Sequence, residues 1–254
     1  VCSEGSYCLA QSEEPIDCAP GSFAGAGGLS ACAECVAGEY QPSPRATVRA
    51  ACEAGGYCVA ASSSVALCDE GTHRNATGGT NATDCVACGA GHACGKGAVE
   101  ATPCEPGTNS SDGVACVGCV AGEYQPSAAQ SSCVACPAGS YCLARSSDSI
   151  ACAPGQFSAG DSASTCDDCA AGEYQSSSSA TACEACEAGG WCGAGASSMT
   201  LCDSGTHRDT TGGASPSDCA DCGAGYACTK GAVERTACEP GSASSDGLAC
   251  AVCA

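Results

Sequence analysis

The chain has 254 residues, a formal net charge of −20 and 30 cysteines. Leu, Ile, Val and Phe together supply only 23 side chains, so the chain is long enough for a large apolar core but cannot fill one. Eight basic residues, scattered through an acidic chain, exclude a phosphate-binding surface and therefore nucleic acid as a partner.

Low branched-apolar content at this charge describes a disordered chain, but cysteine at about one residue in eight overrides that reading. Such cysteine usage belongs to an oxidising compartment, so the protein is expected to be extracellular or secreted. The negative charge reads as a solvated surface that keeps a secreted polymer soluble. No signal-peptide pattern or membrane span is visible. Val1-Cys2 already lies in repeat phase, which fits either a mature product or a window of a longer array.

Repeats organise everything that follows. Complete C-x-x-G openings stand at Cys2, Cys18, Cys35, Cys52, Cys68, Cys88, Cys104, Cys119, Cys136, Cys152, Cys169, Cys186, Cys202, Cys222 and Cys238, and another begins at Cys253. Two kinds of repeat alternate. Short ones place their second cysteine six residues on, as in CPAGSYC from Cys136, and long ones place it just before the next opening, as in CAPGQFSAGDSASTC from Cys152. A superimposed period of 134 maps the cysteines of 135–254 onto those of 1–134, with one break at Cys183, which falls on Arg49. Two domains are expected, a first copy over 1–134 and a truncated second copy over 135–254.

Five residues after most openings sits a ring: Tyr7, Phe23, Tyr40, Tyr57, Tyr124, Tyr141, Phe157, Tyr174 and Trp191, with His73 and His207 in the same slot. A ring beside a Gly and a Cys in every repeat suggests a ladder packed on disulfides. No window carries helical periodicity, and the Gly-rich turns fit short extended pieces. The predicted fold is small disulfide-rich β, an elongated rod of tandem hairpin-like units of roughly 17 residues with little hydrophobic core.

Each repeat except the third owns two cysteines, so pairing within repeats is expected. Short repeats would join Cys2–Cys8, Cys52–Cys58, Cys88–Cys94, Cys136–Cys142, Cys186–Cys192 and Cys222–Cys228. Long repeats would join Cys18–Cys32, Cys68–Cys85, Cys104–Cys116, Cys119–Cys133, Cys152–Cys166, Cys169–Cys183, Cys202–Cys219 and Cys238–Cys250. A crossed pattern is the rival. Cys35 and Cys253 are left over, either unpaired or available for intermolecular bonds. The C-x2-C pairs, such as Cys116/Cys119 with Cys133/Cys136, have zinc-ribbon spacing, but they mark repeat junctions in strict phase, and disulfides are the preferred reading. No metal or other cofactor is expected.

Every Asn lies in a glycosylation sequon: Asn75-Ala-Thr77, Asn81-Ala-Thr83 and Asn109-Ser-Ser111. All three should sit on exposed turns, and the second copy has lost them, with Asp209, Ser215 and Ala243 in their places. No nucleophile–base order, phosphate loop or metalloprotease motif is present, so no catalytic residue and no enzymatic activity are expected.

The strings C-P-A-G-S-Y-C, C-A-P-G-Q-F-x8-C-x2-C and C-x-A-G-E-Y-Q-x8-C-x2-C resemble the ephrin-receptor-like cysteine-rich repeats, relatives in style of tumour-necrosis-factor-receptor modules. Similar tandem arrays occur in surface proteins of algae and other protists, including the mastigoneme hairs of flagella. The resemblance implies an extracellular, elongated, disulfide-bonded and glycosylated protein. It fits a structural subunit of a filament or surface coat, with itself as partner in a head-to-tail or lateral homopolymer, and also fits the stalk or ligand-binding ectodomain of a receptor or adhesin.

Overall fold

A computed structural model describes residues 2–11 and 14–253. Its regular structure is a series of two-stranded antiparallel hairpins, each strand two residues long, and two short 3-10 helices, Ala82–Asp84 and Pro216–Asp218. Among the described residues no helix is long and apolar enough to cross a membrane.

The hairpin follows from the C-x-x-G opening. In the repeat from Cys152, Gln156 N–H donates to the Ala153 carbonyl and Gly155 holds φ +87°. That is a type II turn, with Pro154 pre-set at its second position and a glycine where φ must be positive. The turn aims the chain into strand Gln156–Phe157. This strand pairs with Asp167–Asp168, the two residues between Cys166 and Cys169.

The C-x2-C signature is therefore a return strand bracketed by cysteines. Side chains three apart along a strand point to opposite faces. The two sulfurs diverge, and each serves its own repeat: Cys166 bonds Cys152, and Cys169 bonds Cys183. A zinc knuckle would need both sulfurs on one side.

Disulfides run inside the repeats. Short repeats hold Cys2–Cys8, Cys52–Cys58, Cys88–Cys94, Cys136–Cys142, Cys186–Cys192 and Cys222–Cys228. Long repeats hold Cys18–Cys32, Cys68–Cys85, Cys104–Cys116, Cys152–Cys166, Cys169–Cys183, Cys202–Cys219 and Cys238–Cys250. Cys119 and Cys133 are disulfide-bonded as well. Cys35 and Cys253 carry free thiols, the first buried and the second exposed.

The chain divides into two compact bodies, Val1–Gly118 with Gln125–Cys133, and Cys119–Tyr124 with Val134–Ala254. In each body the buried apolar side chains are almost all cysteine. The large apolar side chains are outside instead: Val48 is 68% exposed in the first body and Leu143 54% in the second. Aliphatic burial does not hold these bodies together, and sulfur takes its place.

Backbone hydrogen bonds stack the repeats. In the first body the third-position glycines donate forward, Gly5 to Ala24, Gly21 to Gln41 and Gly38 to Cys58. In the second body Gly122 donates to Cys142, Gly139 to Ser158 and Gly155 to Gln175. Each acceptor is six residues past the next opening. The opening cysteine's own carbonyl accepts from the left-handed turn of the next repeat, as Cys136 does from Ser162.

The same glycine also faces the repeat after next. A Cβ on Gly139, held at φ +78°, would overlap the Ser179 carbonyl oxygen. Gly160 has no atom within 4 Å of such a Cβ. Gly139→Ala should therefore destabilise the second body by at least about 1–2 kcal/mol from backbone strain alone, while Gly160→Ala should be close to neutral. Thermal melting of the two secreted variants checks this, and equal melting would remove the close approach as a stabilising constraint.

Candidate functional site

Three places depart from plain repeat architecture: the free thiol at Cys35, the segment carrying two of the sequons, and the histidine slots.

Cys35 opens a long repeat whose closing position is Arg49 rather than cysteine. The Arg49 guanidinium is ion-paired with Glu39 and stands 5.0 Å from the centroid of the Phe23 ring. It thus ties the end of its repeat to the strand start of the same repeat and to a ring of the preceding one. A cation over a ring adds roughly 0.5–1 kcal/mol at an exposed site, less than a disulfide contributes. Burial pushes the Cys35 thiol up, the Glu39 carboxylate adds to the rise, and Arg49 opposes it. Little thiolate forms, so Cys35 is a poor nucleophile where it stands.

The sequon segment is built around Asp84. Its carboxylate accepts from Thr80 N–H at 2.7 Å, Thr80 Oγ1 at 2.9 Å and Asn81 N–H at 3.4 Å. Arg74 donates to the Asp84 carbonyl at 3.3 Å and to the Thr77 carbonyl at 3.2 Å. The second copy repeats the device with Asp218 on Ala214 and Ser215 N–H, and Arg208 on the carbonyls of Asp218 and Thr211. The hydrogen bond from Thr80 N–H holds the Asp84 carboxyl below its ordinary range, and the one from Ala214 N–H does so for Asp218.

The three sequon asparagines sit in different surroundings. Asn75 is exposed in an irregular stretch before a bend. Asn81 is exposed but caps the 3-10 helix: its Oδ1 accepts from Thr83 N–H at 2.8 Å and its Nδ2 donates to Thr80 Oγ1 at 3.1 Å. Asn109 departs from the expected exposed turn. It occupies the ring slot of its repeat, lies half-buried in strand Thr108–Asn109, and donates from Nδ2 to Cys133 Sγ at 2.9 Å. The fifth position of a repeat is always on the hairpin, whichever residue fills it, and a sequon motif carries no sign of that.

His73 and His207 sit in strands Thr72–His73 and Thr206–His207. Their Nδ1 atoms lie 3.4 Å from Cys88 Sγ and 3.6 Å from Cys222 Sγ. His92, one residue early in its repeat, instead places Nδ1 3.3 Å from the Ala90 carbonyl oxygen. The sequence signal for the sulfur contact was the phase of the ring slot, which promised packing on a disulfide without saying which one.

Residues 107–152 match the family model described as tyrosine-protein kinase ephrin type A/B receptor-like. The match covers C-V-A-G-E-Y-Q from Cys119 and C-P-A-G-S-Y-C from Cys136. With the disulfide-bonded pairs in tandem hairpins, it fits ephrin-receptor-like cysteine-rich repeats. Such a module is extracellular, structural or receptor-like in type, and compatible with a non-catalytic protein. No curated protein matches the chain.

Two outcomes follow from this geometry. Arg49→Cys should close a bond to Cys35 like Cys169–Cys183, whose Cα atoms are 5.7 Å apart. The free-thiol count would fall and the first body would gain roughly 3 kcal/mol for a loop of about 15 residues; thiol labelling that finds an added thiol instead would show that the repeat cannot close.

Asp84 and Asp218 are held ionised more firmly in the fold than in the unfolded chain, so their contribution is complete above the ordinary Asp pKa of about 3.9. It is lost as pH falls through the lower folded value. Amide exchange at Thr80 and Ala214 should accelerate in that acid window while the disulfides hold. Asp84→Asn and Asp218→Asn should show the faster exchange already at neutral pH.

Proposed function

We propose that the chain is a structural subunit of an extracellular glycoprotein filament or surface coat of the mastigoneme kind, without catalytic activity. The observation that carries this reading is the forward grammar of the repeats. The glycines donate to the next repeat and most opening carbonyls accept from it, so the face a repeat turns to its successor differs from the face it turns to its predecessor. A head-to-tail contact of this kind is heterologous, and heterologous contacts whose rotation does not close generate fibres. Homopolymerisation, head-to-tail or lateral, extends the same rule beyond one chain. The buried sulfur column suits this use, because covalent bonds within each repeat persist under load and dilution.

A second reading rests on the family description of residues 107–152 as receptor-like. In it the repeats form the stalk or ligand-binding ectodomain of a receptor or adhesin. Imaging of native material separates the two. Regular filaments containing the chain support the first, and discrete particles that capture a protein ligand replace it with the second.

The glycoprotein component has its own outcome. In material secreted by a glycosylating cell, peptide mass spectrometry should find sugar on Asn75 and Asn81 and none on Asn109, whose amide is engaged within the hairpin. Sugar on Asn109 in a chain with all its disulfides intact would contradict this assignment.

A further inference from the structure

We propose that His73 with Cys88 and Cys94, and His207 with Cys222 and Cys228, form two binding sites for a soft divalent ion of the zinc class whenever those cysteine pairs are in the dithiol state. In each trio one ligand atom per residue lies within 4.8 Å of the other two. The Nδ1–Sγ separations are 3.4 Å and 3.6 Å. With Zn–S near 2.3 Å and Zn–N near 2.0–2.1 Å, the N–S edge of a tetrahedron around zinc is about 3.5 Å. The imidazole already stands at the distance a shared ion requires.

The fold holds the histidine there from two sides. His73 pairs with Val86, two residues before Cys88, and bridges to Ala98, four residues after Cys94. His207 pairs with Ala220 and bridges to Ala232 in the same way. The ring slots before the other short repeats with a ring at that position hold Tyr40, Tyr124 and Tyr174. Only the slots before Cys88 and Cys222 hold an imidazole, and both copies have it.

These cysteine pairs are also the widest-set of the short-repeat disulfides, with Cα separations of 6.3 Å and 6.2 Å against 5.9–6.0 Å in the others. All four cysteines are buried, so a bound ion would be shielded from competing water.

Capture exchanges protons and moves no electrons. Two Sγ–H groups release their protons, one divalent ion binds both thiolates, and the neutral imidazole offers its Nδ1 lone pair. Closing the disulfide from the free dithiol passes two electrons and two protons to a thiol–disulfide oxidant, whereas from the ion-bound dithiolate it passes two electrons and releases the ion, the reduced oxidant taking its protons from water. In the second copy Nδ1 also lies 3.1 Å from the Ala220 carbonyl oxygen, so binding moves the ring proton to Nε2. Asp209, Asp221 and Glu234 line a cavity of about 540 Å³ together with His207, so carboxylates share that space with the ring. A carboxylate behind a ligating imidazole typically strengthens a metal site 10–100-fold. The first copy keeps Glu100 but has Asn75 and Ala87 in place of Asp209 and Asp221. Its site is the weaker one.

The test refolds the fully reduced chain through a thiol–disulfide buffer with and without zinc alone. Native mass spectrometry then counts ions, and alkylation maps the open thiols. With zinc, a species should form that carries two ions and leaves Cys88, Cys94, Cys222 and Cys228 unpaired. Chelator competition should strip the first-copy ion at least about tenfold more readily.

His207→Phe should retain one ion, and the double variant His73→Phe/His207→Phe none, while both complete the disulfide set in zinc-free buffer. Phe already fills this slot at Phe23 and Phe157, so the substitution follows the repeat's own precedent. No retained zinc, equal retention in the Phe variants, or ions held on cysteines other than Cys88, Cys94, Cys222 and Cys228 would each overturn the assignment.

Discussion

Everything in this protein depends on the disulfides that close its repeats, with Cys35 opening one that has none. The opening cysteines are buried with side chains such as Cys52, Cys136 and Cys186 fully enclosed, while valines and leucines face water. A loop of about 15 residues closed by a disulfide contributes roughly 3 kcal/mol by restricting the unfolded chain. Repeated along the sequence, that contribution replaces the aliphatic burial that a chain of this composition cannot supply. It also frees the surface. With no apolar face to protect, the strands can be two residues long and the connections can be Ser, Ala and Gly.

Sulfur alone would give a string of independent loops. The glycine at the third position converts the string into an ordered stack, because it does three things at once. It makes the type II turn, donates to the next repeat, and leaves room for a carbonyl of the repeat after next. At Gly5, Gly21, Gly91, Gly122, Gly139 and Gly155 an added Cβ meets backbone, which cannot move aside as a flexible side chain would. The same close approach explains the tolerated strain on the other side of the contact, where Arg45, Ala61, Ala129 and Ser179 hold left-handed φ values near +58°.

The duplication shows which features the architecture demands and which it leaves open. Arg74 and Asp84 recur as Arg208 and Asp218 with the same hydrogen bonds, and the His–sulfur contact recurs too. Around these fixed points the copies diverge. A disulfide position became Arg49, which reaches Glu39 and Phe23 instead. The sequon positions Asn75 and Asn81 correspond to Asp209 and Ser215, so one copy presents amides where the other presents a carboxylate and a hydroxyl. The scaffold is held by backbone and sulfur, and the residues between can change the surface chemistry without touching it.

The sequence by itself determined the phase of the repeats, the hairpin in each, the Gly-rich turns that join them and the scarcity of core. Those features are local: cysteine spacing, a Pro-Gly turn and a ring five residues on are all read within one repeat. Tertiary structure decided what the stacking brings together. Gly5 meets Arg45 forty positions away, Arg49 finds a ring in the preceding repeat, and Asn109 lies in a strand with its amide on Cys133. It also decided that C-x2-C is a return strand whose sulfurs part, where spacing alone was equally that of a zinc ribbon. Contacts between repeats leave no local signature, because any side chain at a given phase is carried to the same place by the backbone ladder. Its chemistry there depends on what the neighbouring repeat presents.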